Sequence, residues 1–281
     1  AAAVKSLMLV FTDLDGSLLD HHSYSYQDAL PQLHVLDRAG IPVIPASSKT
    51  RAEIARLRQA LGNTHPFIVE NGAAIWIPRD YFAEQPALTQ ERDGYWVREM
   101  VAPRQHWRAL LQDLYADFAG EFDYFQRAGA AGIARMTGLS REAAEEANQR
   151  DYSEPVQWLG SSERREEFLS RLRAAGANPL SGGRFISVSG ACDKGVALTW
   201  LRGVYQDAFP DRGCHDIAIG DSRNDCAMLE AAETALLVRS TVHEFPELQR
   251  QQGVWRSQAL GPAGWAEGVA RWLHHYRSEI D

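Results

Sequence analysis

The sequence predicts an α/β protein: a Rossmann-like, doubly wound parallel sheet interrupted by an inserted α/β layer. Three observations lead there. Between residues 7 and 77 short apolar strands alternate with amphipathic helices, the order that lays helices over a parallel sheet. From about residue 82 to 188 strands and helices form a second, separate alternation. After residue 189 the first pattern resumes, as it does when a chain leaves a domain and re-enters it. The expected division is 1–81 with 189–281 as the core, and 82–188 as an inserted α/β cap domain.

Leu7–Phe11 is a run of apolar and β-branched residues, the mark of a strand buried on both faces. It stops at Asp13-Leu14-Asp15-Gly16-Ser17, and His21 to Gln27 is a polar, aromatic loop. Leu30, Leu33 and Leu36 line a helix over Asp28–Ala39, which Gly40 ends. Ile41–Ala46 is the next strand, closed by Ser47-Ser48-Lys49-Thr50. Thr50 and Glu53 form a capping box that opens a helix through Leu61. Phe67–Val69 is a third strand, and Asn71-Gly72 reads as a hairpin turn with Ala73–Ile77 returning.

Pro78–Pro103 reads as irregular, apart from a short strand near Tyr95–Val97. Trp107, Leu110, Leu111, Leu114 and Phe118 then recur at helical spacing, the pattern of a core-facing stripe. Phe122–Phe125, Pro155–Leu159 and Arg184–Val188 read as strands. Arg141–Gln149 is a polar helix capped by Ser140, and another helix runs through Phe168, Leu169 and Leu172. Asp193-Lys194-Gly195 opens a helix through Val204. Ile217–Ile219 is a buried strand that runs into Gly220-Asp221-Ser222-Arg223-Asn224-Asp225 and a helix with Met228 and Leu229. Thr234–Val238 is a further strand, and Trp265, Val269, Trp272, Leu273 and Tyr276 mark a closing helix.

Composition narrows the function. An apolar fraction of 45% and a charged fraction of 23% over 281 residues are those of a globular protein with a sizeable core. A net charge of −8 argues against a nucleic-acid or anionic-membrane surface. No apolar run reaches membrane-spanning length, and the Ala-rich start lacks the basic and hydrophobic regions of a signal peptide. Cys192, Cys214 and Cys226 have no metal-ligand spacing, so reduced thiols in a cytoplasmic protein are expected. His21, His22, His274 and His275 fall in loop or tail contexts and are not read as catalytic.

Two carboxylates two residues apart at the end of a buried strand are costly unless a cation or a proton compensates them. The carboxyl ends of parallel strands are also where ligands bind. Four groups fall at such ends: the Asp13/Asp15 pair, Ser47, Lys194 near a helix start, and Asp221 with Asp225. Gathered carboxylates suit a hard cation, Mg²⁺ best of all. A hydroxyl and an ammonium beside it complete a site for a phosphoryl group. One Asp can then act as nucleophile, and a second can act as general acid and afterwards as base.

The segments DLDGS, SSK, DKG and GDSRND stand in the order and spacing of the haloacid dehalogenase-like phosphatases, and the chain resembles that family. The resemblance implies that Asp13 is nucleophile and metal ligand, and that Asp15 is acid/base and a ligand through its carbonyl. It implies Ser47 (with the adjacent Ser48 as the alternative) on the phosphoryl oxygens and Lys194 as their neutralising charge. Asp221 would ligate Mg²⁺, with Asn224 and Asp225 completing the metal shell or orienting Lys194. Ser17 stands where the family more often has Thr, which keeps the hydroxyl.

The likeness covers most of the chain. SSKTRAE, ENGA, MTGLSREAAEEANQRDYSEP and SGGRF are similar to the mannosyl-3-phosphoglycerate phosphatase family. That implies hydrolysis of 2-O-mannosyl-3-phosphoglycerate to mannosylglycerate and phosphate, beneath a cap that closes over the catalytic edge. Arg184 with the Gly182 and Gly183 amides would clamp the substrate carboxylate. Ser48 and Lys49 would add to the phosphate side, and Glu70, Asn71 and Glu154 would meet sugar hydroxyls. A related phosphatase for glucosyl-3-phosphoglycerate or hexose phosphates is the alternative. A phosphorylation-controlled receiver module also gathers acids, a hydroxyl and Lys, but it needs neither Asp15 nor an insertion of about a hundred residues.

Overall fold

The structure, a computed structural model, describes residues 5–181 and 184–280. Its strands are β1 (Leu7–Thr12), β2 (Val43–Pro45), β3 (Phe67–Val69), β4 (Ala74–Pro78), β5 (Gln90–Arg92), β6 (Tyr95–Glu99) and β7 (Phe122–Tyr124). They continue with β8 (Glu154–Trp158), β9 (Leu180–Ser181), β10 (Ile186–Val188), β11 (Cys214–Gly220), β12 (Thr234–Arg239) and β13 (Val254–Leu260). The helices are α1 (Leu30–Arg38), α2 (Arg51–Leu61), α3 (Arg104–Leu114), α4 (Phe125–Thr137) and α5 (Arg141–Ala147). The remainder are α6 (Ser162–Ala174), α7 (Lys194–Ala208), α8 (Cys226–Ala231) and α9 (Gly261–His275).

Backbone proximity divides the chain into two bodies. One takes the chain up to Ser47, Gly62–Arg98 and the chain from Asp193; the other takes Ser48–Leu61 and Glu99–Cys192. In the first body a parallel sheet runs in the order β13-β12-β11-β1-β2. Every residue of β1 is buried, as an apolar run flanked by strands on both sides requires. Beyond β2, a single parallel bridge from Ala46 to Ile68 carries the sheet on to β3. There it meets an antiparallel sheet in the order β3-β4-β6-β5. The expected Asn71-Gly72 hairpin is present, with Phe67 opposite Trp76 and Asn71 in the left-handed region at φ 61°.

The second body is an antiparallel sheet, β7-β8-β10-β9. Trp107, Leu111 and Leu114 of α3 and Phe168, Leu169 and Leu172 of α6 pack with Phe122, Val156 and Val188 into one core. Phe125, Ile133 and Ala144 form a smaller one. Ser140 caps α5 as expected, accepting from the Ala143 N–H at 3.1 Å.

The boundaries differ from the expected 82–188. Pro78–Pro103 is not irregular: β5 and β6 form a hairpin around Asp93 (φ 53°) and Gly94 (φ 82°), and it joins β4 in the first body. The second body therefore begins near Glu99, and it also takes in α2. Phe125 starts a helix rather than ending a strand. Among the described residues no helix is long and apolar enough to cross a membrane.

Candidate active site

Strand register brings the key residues together before any side chain is considered. Thr12, the last residue of β1, pairs with Ile219 on one side and Pro45 on the other. The residues that follow become neighbours. Asp13 donates its N–H to the Ile219 carbonyl, and Ala46 donates its N–H to the Thr12 carbonyl, each at 2.8 Å. Ser47 is buried; its N–H reaches Ile68 O at 3.1 Å, and its carbonyl accepts from the Asn71 N–H at 2.9 Å. From behind, Trp265 Nε1–H donates to Thr12 Oγ1 at 2.9 Å, and that hydroxyl donates to the Asp13 carbonyl at 2.7 Å.

Helix α7 supplies the cation. Asp193 caps it by accepting from the Val196 N–H at 2.8 Å, which sets Lys194 as the first helical residue. Lys194 is fully buried and donates from Nζ to Asp13 Oδ1 at 3.1 Å and to Asp225 Oδ1 at 2.7 Å. The second oxygen of Asp225 accepts from the Asp221 N–H at 3.0 Å and the Ser222 N–H at 3.2 Å. Asp225 thus commits both oxygens to Lys194 and to its own turn, so orienting Lys194 is what its geometry supports. Gly16 has φ +86°, and a Cβ there would run into the Asp221 carboxylate. Glycine lets the DLDGS loop lie directly against Asp221.

Asp13, Asp221 and Asp225 are all buried, and each offers an oxygen within 4.8 Å of the others. The Asp13 and Asp221 carboxylate oxygens lie within 4.8 Å of each other. Two buried carboxylates this close need a proton or a cation to compensate them. Burial, then the Asp225 charge, pushes Asp13 well above the usual carboxylate range; Lys194 pulls the other way without offsetting them. Burial raises Asp221 as well. For Lys194 burial opposes the charge, but Asp13 and Asp225 prevail and hold it above its ordinary value. An all-carboxylate oxygen set with negative charge in excess over one ammonium fits a hard divalent cation.

The other expected residues fall in different settings. Asp15 lies two residues beyond Asp13 in a loop that folds back on itself, with the Gly16 N–H on the Leu19 carbonyl at 2.8 Å. Glu70 is buried beside Asn71, whose side-chain carbonyl accepts from Asn224 Nδ2 at 3.3 Å. Asn224 is therefore tied to Asn71 and to Ser222, whose hydroxyl donates to its side-chain carbonyl. Ser48 is exposed and belongs to the second body, as does Lys49, which pairs with Glu53 at 3.8 Å. Arg184 is exposed and donates to the Met136 carbonyl at 3.1 Å. Gly182 and Gly183 lie outside the described residues.

Glu154 departs from its expected role. It is 0% exposed and accepts from Arg104 Nε at 2.9 Å and Nη2 at 2.5 Å through one oxygen, and from the Gln126 N–H at 3.1 Å through the other. A buried carboxylate must be paired in this way, and with no exposed surface Glu154 faces away from a substrate in this structure. Conversely, His243 joins the site without being among the expected residues. Its Nε2 lies 3.2 Å from Asp221 Oδ2, yet it sits 22 residues after Asp221 in a segment with no periodicity or motif, so no sequence signal marks it.

The chain is similar to several known proteins. Residues 10–93 match the family model described as haloacid dehalogenase-like hydrolase. A glucosyl-3-phosphoglycerate/mannosyl-3-phosphoglycerate phosphatase of Methanococcoides burtonii is 34% identical over 261 residues, 93% of this chain and 95% of the relative. Among solved structures, a phosphatase of the same superfamily from Bacteroides thetaiotaomicron is similar with a TM-score of 0.63 at 17% identity, covering 97% of this chain and 96% of that one. The sucrose-phosphatase of Synechocystis, solved with sucrose and phosphate, gives a TM-score of 0.59 at 17% identity over 95% of this chain and 98% of that one. At such identities these structures speak to the fold alone. The class these observations define is that of the phosphoric monoester hydrolases. The chain belongs to the haloacid dehalogenase-like hydrolases, in the family of the glucosyl-3-phosphoglycerate/mannosyl-3-phosphoglycerate phosphatases.

Proposed function

We propose that this chain is a Mg²⁺-dependent phosphatase that hydrolyses 2-O-mannosyl-3-phosphoglycerate to mannosylglycerate and phosphate. The observation that carries the chemistry is the buried cluster in which Lys194 joins Asp13 to Asp225 while Asp221 faces Asp13. The substrate rests on the 34% identical relative and on the cap segment 136–155. Asp13 attacks phosphorus in line with the ester oxygen. That P–O bond breaks, and Asp15, protonated, gives its proton to the departing glycerate oxygen. Asp15, now a carboxylate, takes a proton from the water that attacks the aspartyl-phosphate; the Asp13–phosphorus bond breaks and phosphate leaves. Lys194 and the Ser47 hydroxyl hold the phosphoryl oxygens throughout. Asp13, the Asp15 carbonyl and Asp221 would hold Mg²⁺, which supplies positive charge against the phosphoryl oxygens and keeps Asp13 ionised. Arg184, with Gly182 and Gly183, remains the proposed clamp for the substrate carboxylate, and Glu70 and Asn71 the proposed contacts to sugar.

A second reading accepts the glucosyl compound equally, because the relative is named for both sugars. The test is phosphate release with Mg²⁺ on mannosyl-3-phosphoglycerate, glucosyl-3-phosphoglycerate, 3-phosphoglycerate and mannose 6-phosphate. A large kcat/KM preference for the mannosyl compound supports the first reading; equal rates on the two glycosides support the second. Asp13→Asn is expected to lose activity by at least about 10⁴-fold, and activity that survives it sinks the mechanism.

A further inference from the structure

Asp221 is restrained at three points. Its N–H is held by Asp225, its Oδ1 accepts from Ser17 Oγ at a long 3.4 Å, and its Oδ2 lies 3.2 Å from His243 Nε2. The first two partners come from motif segments that surround Asp13 and Asp225. The third comes from the irregular stretch after β12, which no part of the chemistry above uses.

The stretch around His243 is anchored on both sides. Before it, Ser240 Oγ accepts from the Val242 N–H at 3.1 Å, and Thr241 Oγ1 reaches His22 Nε2 at 3.4 Å. After it, the Phe245 ring meets two guanidinium groups, Arg239 at 5.2 Å and Arg256 at 5.9 Å from the ring centre. Further on, Arg250 donates to the carbonyls of Leu229, Ala232 and Glu233. His243 is thus delivered to Asp221 by a segment fixed by its own contacts, although its side chain is 36% exposed.

We propose that His243 is a positioning residue for the cation: its ring nitrogen Nε2, 3.2 Å from Oδ2, fixes the rotation of the Asp221 carboxylate and so pre-organises the ligand. With one contact on each oxygen, Ser17 Oγ on Oδ1 and His243 Nε2 on Oδ2, the carboxylate cannot turn about its last bond without losing one of them. Ser17 at 3.4 Å is the longer of the two contacts. Outer partners of this kind orient metal-holding side chains and commonly change metal affinity 10- to 100-fold when removed. The inference rests on Asp221 as a cation ligand, as proposed above.

Calorimetric titration of the metal-free protein with Mg²⁺ alone tests it, without reference to turnover. Compared with the parent, His243→Ala should bind Mg²⁺ about 10-fold more weakly while its metal-free unfolding midpoint stays the same. His243→Gln, whose amide nitrogen reaches the position of Nε2, should restore most of the affinity. His243→Asn, with a shorter reach, should not. Parental affinity in His243→Ala, or a Gln variant as weak as the Ala variant, overturns the assignment and leaves Asp221 as a ligand untouched. A parent protein that takes up no Mg²⁺ removes the cation reading itself, and this inference with it.

Discussion

Asp13 is held against Lys194 in a setting from which water is largely excluded, and burial together with Asp225 raises its pKa well above 3.8. A carboxyl group whose folded pKa exceeds its unfolded one destabilises the fold at pH values above the folded pKa. The penalty fades as pH falls toward 3.8. Asp13→Asn therefore has two opposite effects: it removes the nucleophile, yet in metal-free protein at neutral pH it should raise Tm, because it removes a charge that burial and Asp225 disfavour. Melting curves in a chelator between pH 7 and pH 4 check this, and the advantage should shrink on the acid side. Gly16 offers a second contrast. Gly16→Ala meets both a positive φ and the Asp221 carboxylate, so activity should fall by at least about 10-fold along with a loss of about 1–3 kcal/mol. Gly40 has φ +71°, and a methyl group added there would have nothing within 4 Å; Gly40→Ala should cost about 1 kcal/mol and spare kcat. Asp13, Lys194 and Asp221 were legible because each ends a strand or opens a helix in a recognisable motif. His243 was not, because its partner is chosen by the path of an irregular segment.

Elements with strong local chemistry were equally legible. Thr50 and Glu53 do form the capping box, with Thr50 N–H to Glu53 Oε1 at 3.1 Å and Glu53 N–H to Thr50 Oγ1 at 3.3 Å. Elements read less well where the signal was mixed. β13 is an edge strand whose alternation of Val254, Trp255, Arg256 and Ser257 lacks the continuous apolar run of the central strands. α4 is broken at Gly129 (φ 69°), which masks its period. The β5–β6 hairpin did carry a signal, Asp93-Gly94 between two short strands, of the kind that marks tight turns. Glu154 belongs to this scale, since with Arg104 it ties β8 to α3, and Arg104 continues to Asn148 O at 2.5 Å after α5. Glu154→Ala should lower stability by about 3–5 kcal/mol, because it leaves Arg104 buried and unpaired. Denaturant titration reads that loss, and a variant of parental stability with a raised KM would instead return Glu154 to the substrate.

For the molecule as a whole, the cation is the term that links stability to activity. A ligand bound only by the folded state stabilises it by about 2.7 kcal/mol at a hundred times its Kd. Mg²⁺ should therefore raise Tm of the parent protein and should fail to do so in Asp221→Asn, with a chelator abolishing turnover; differential scanning measurements decide it. The amino-acid order alone settled the alternation of strands and helices and the residues at the ends of β1, β2 and β11. Those features depend on periodicity and on turn and cap chemistry within a few residues of chain. What only the tertiary structure decided was which groups touch. It assigned Asp225 to Lys194, drew His243 to Asp221, turned Glu154 inward to Arg104, and moved the β5–β6 hairpin into the first body. Each of these joins residues distant in sequence, where sheet register and the need to pair every buried charge, rather than any local pattern, select the partner.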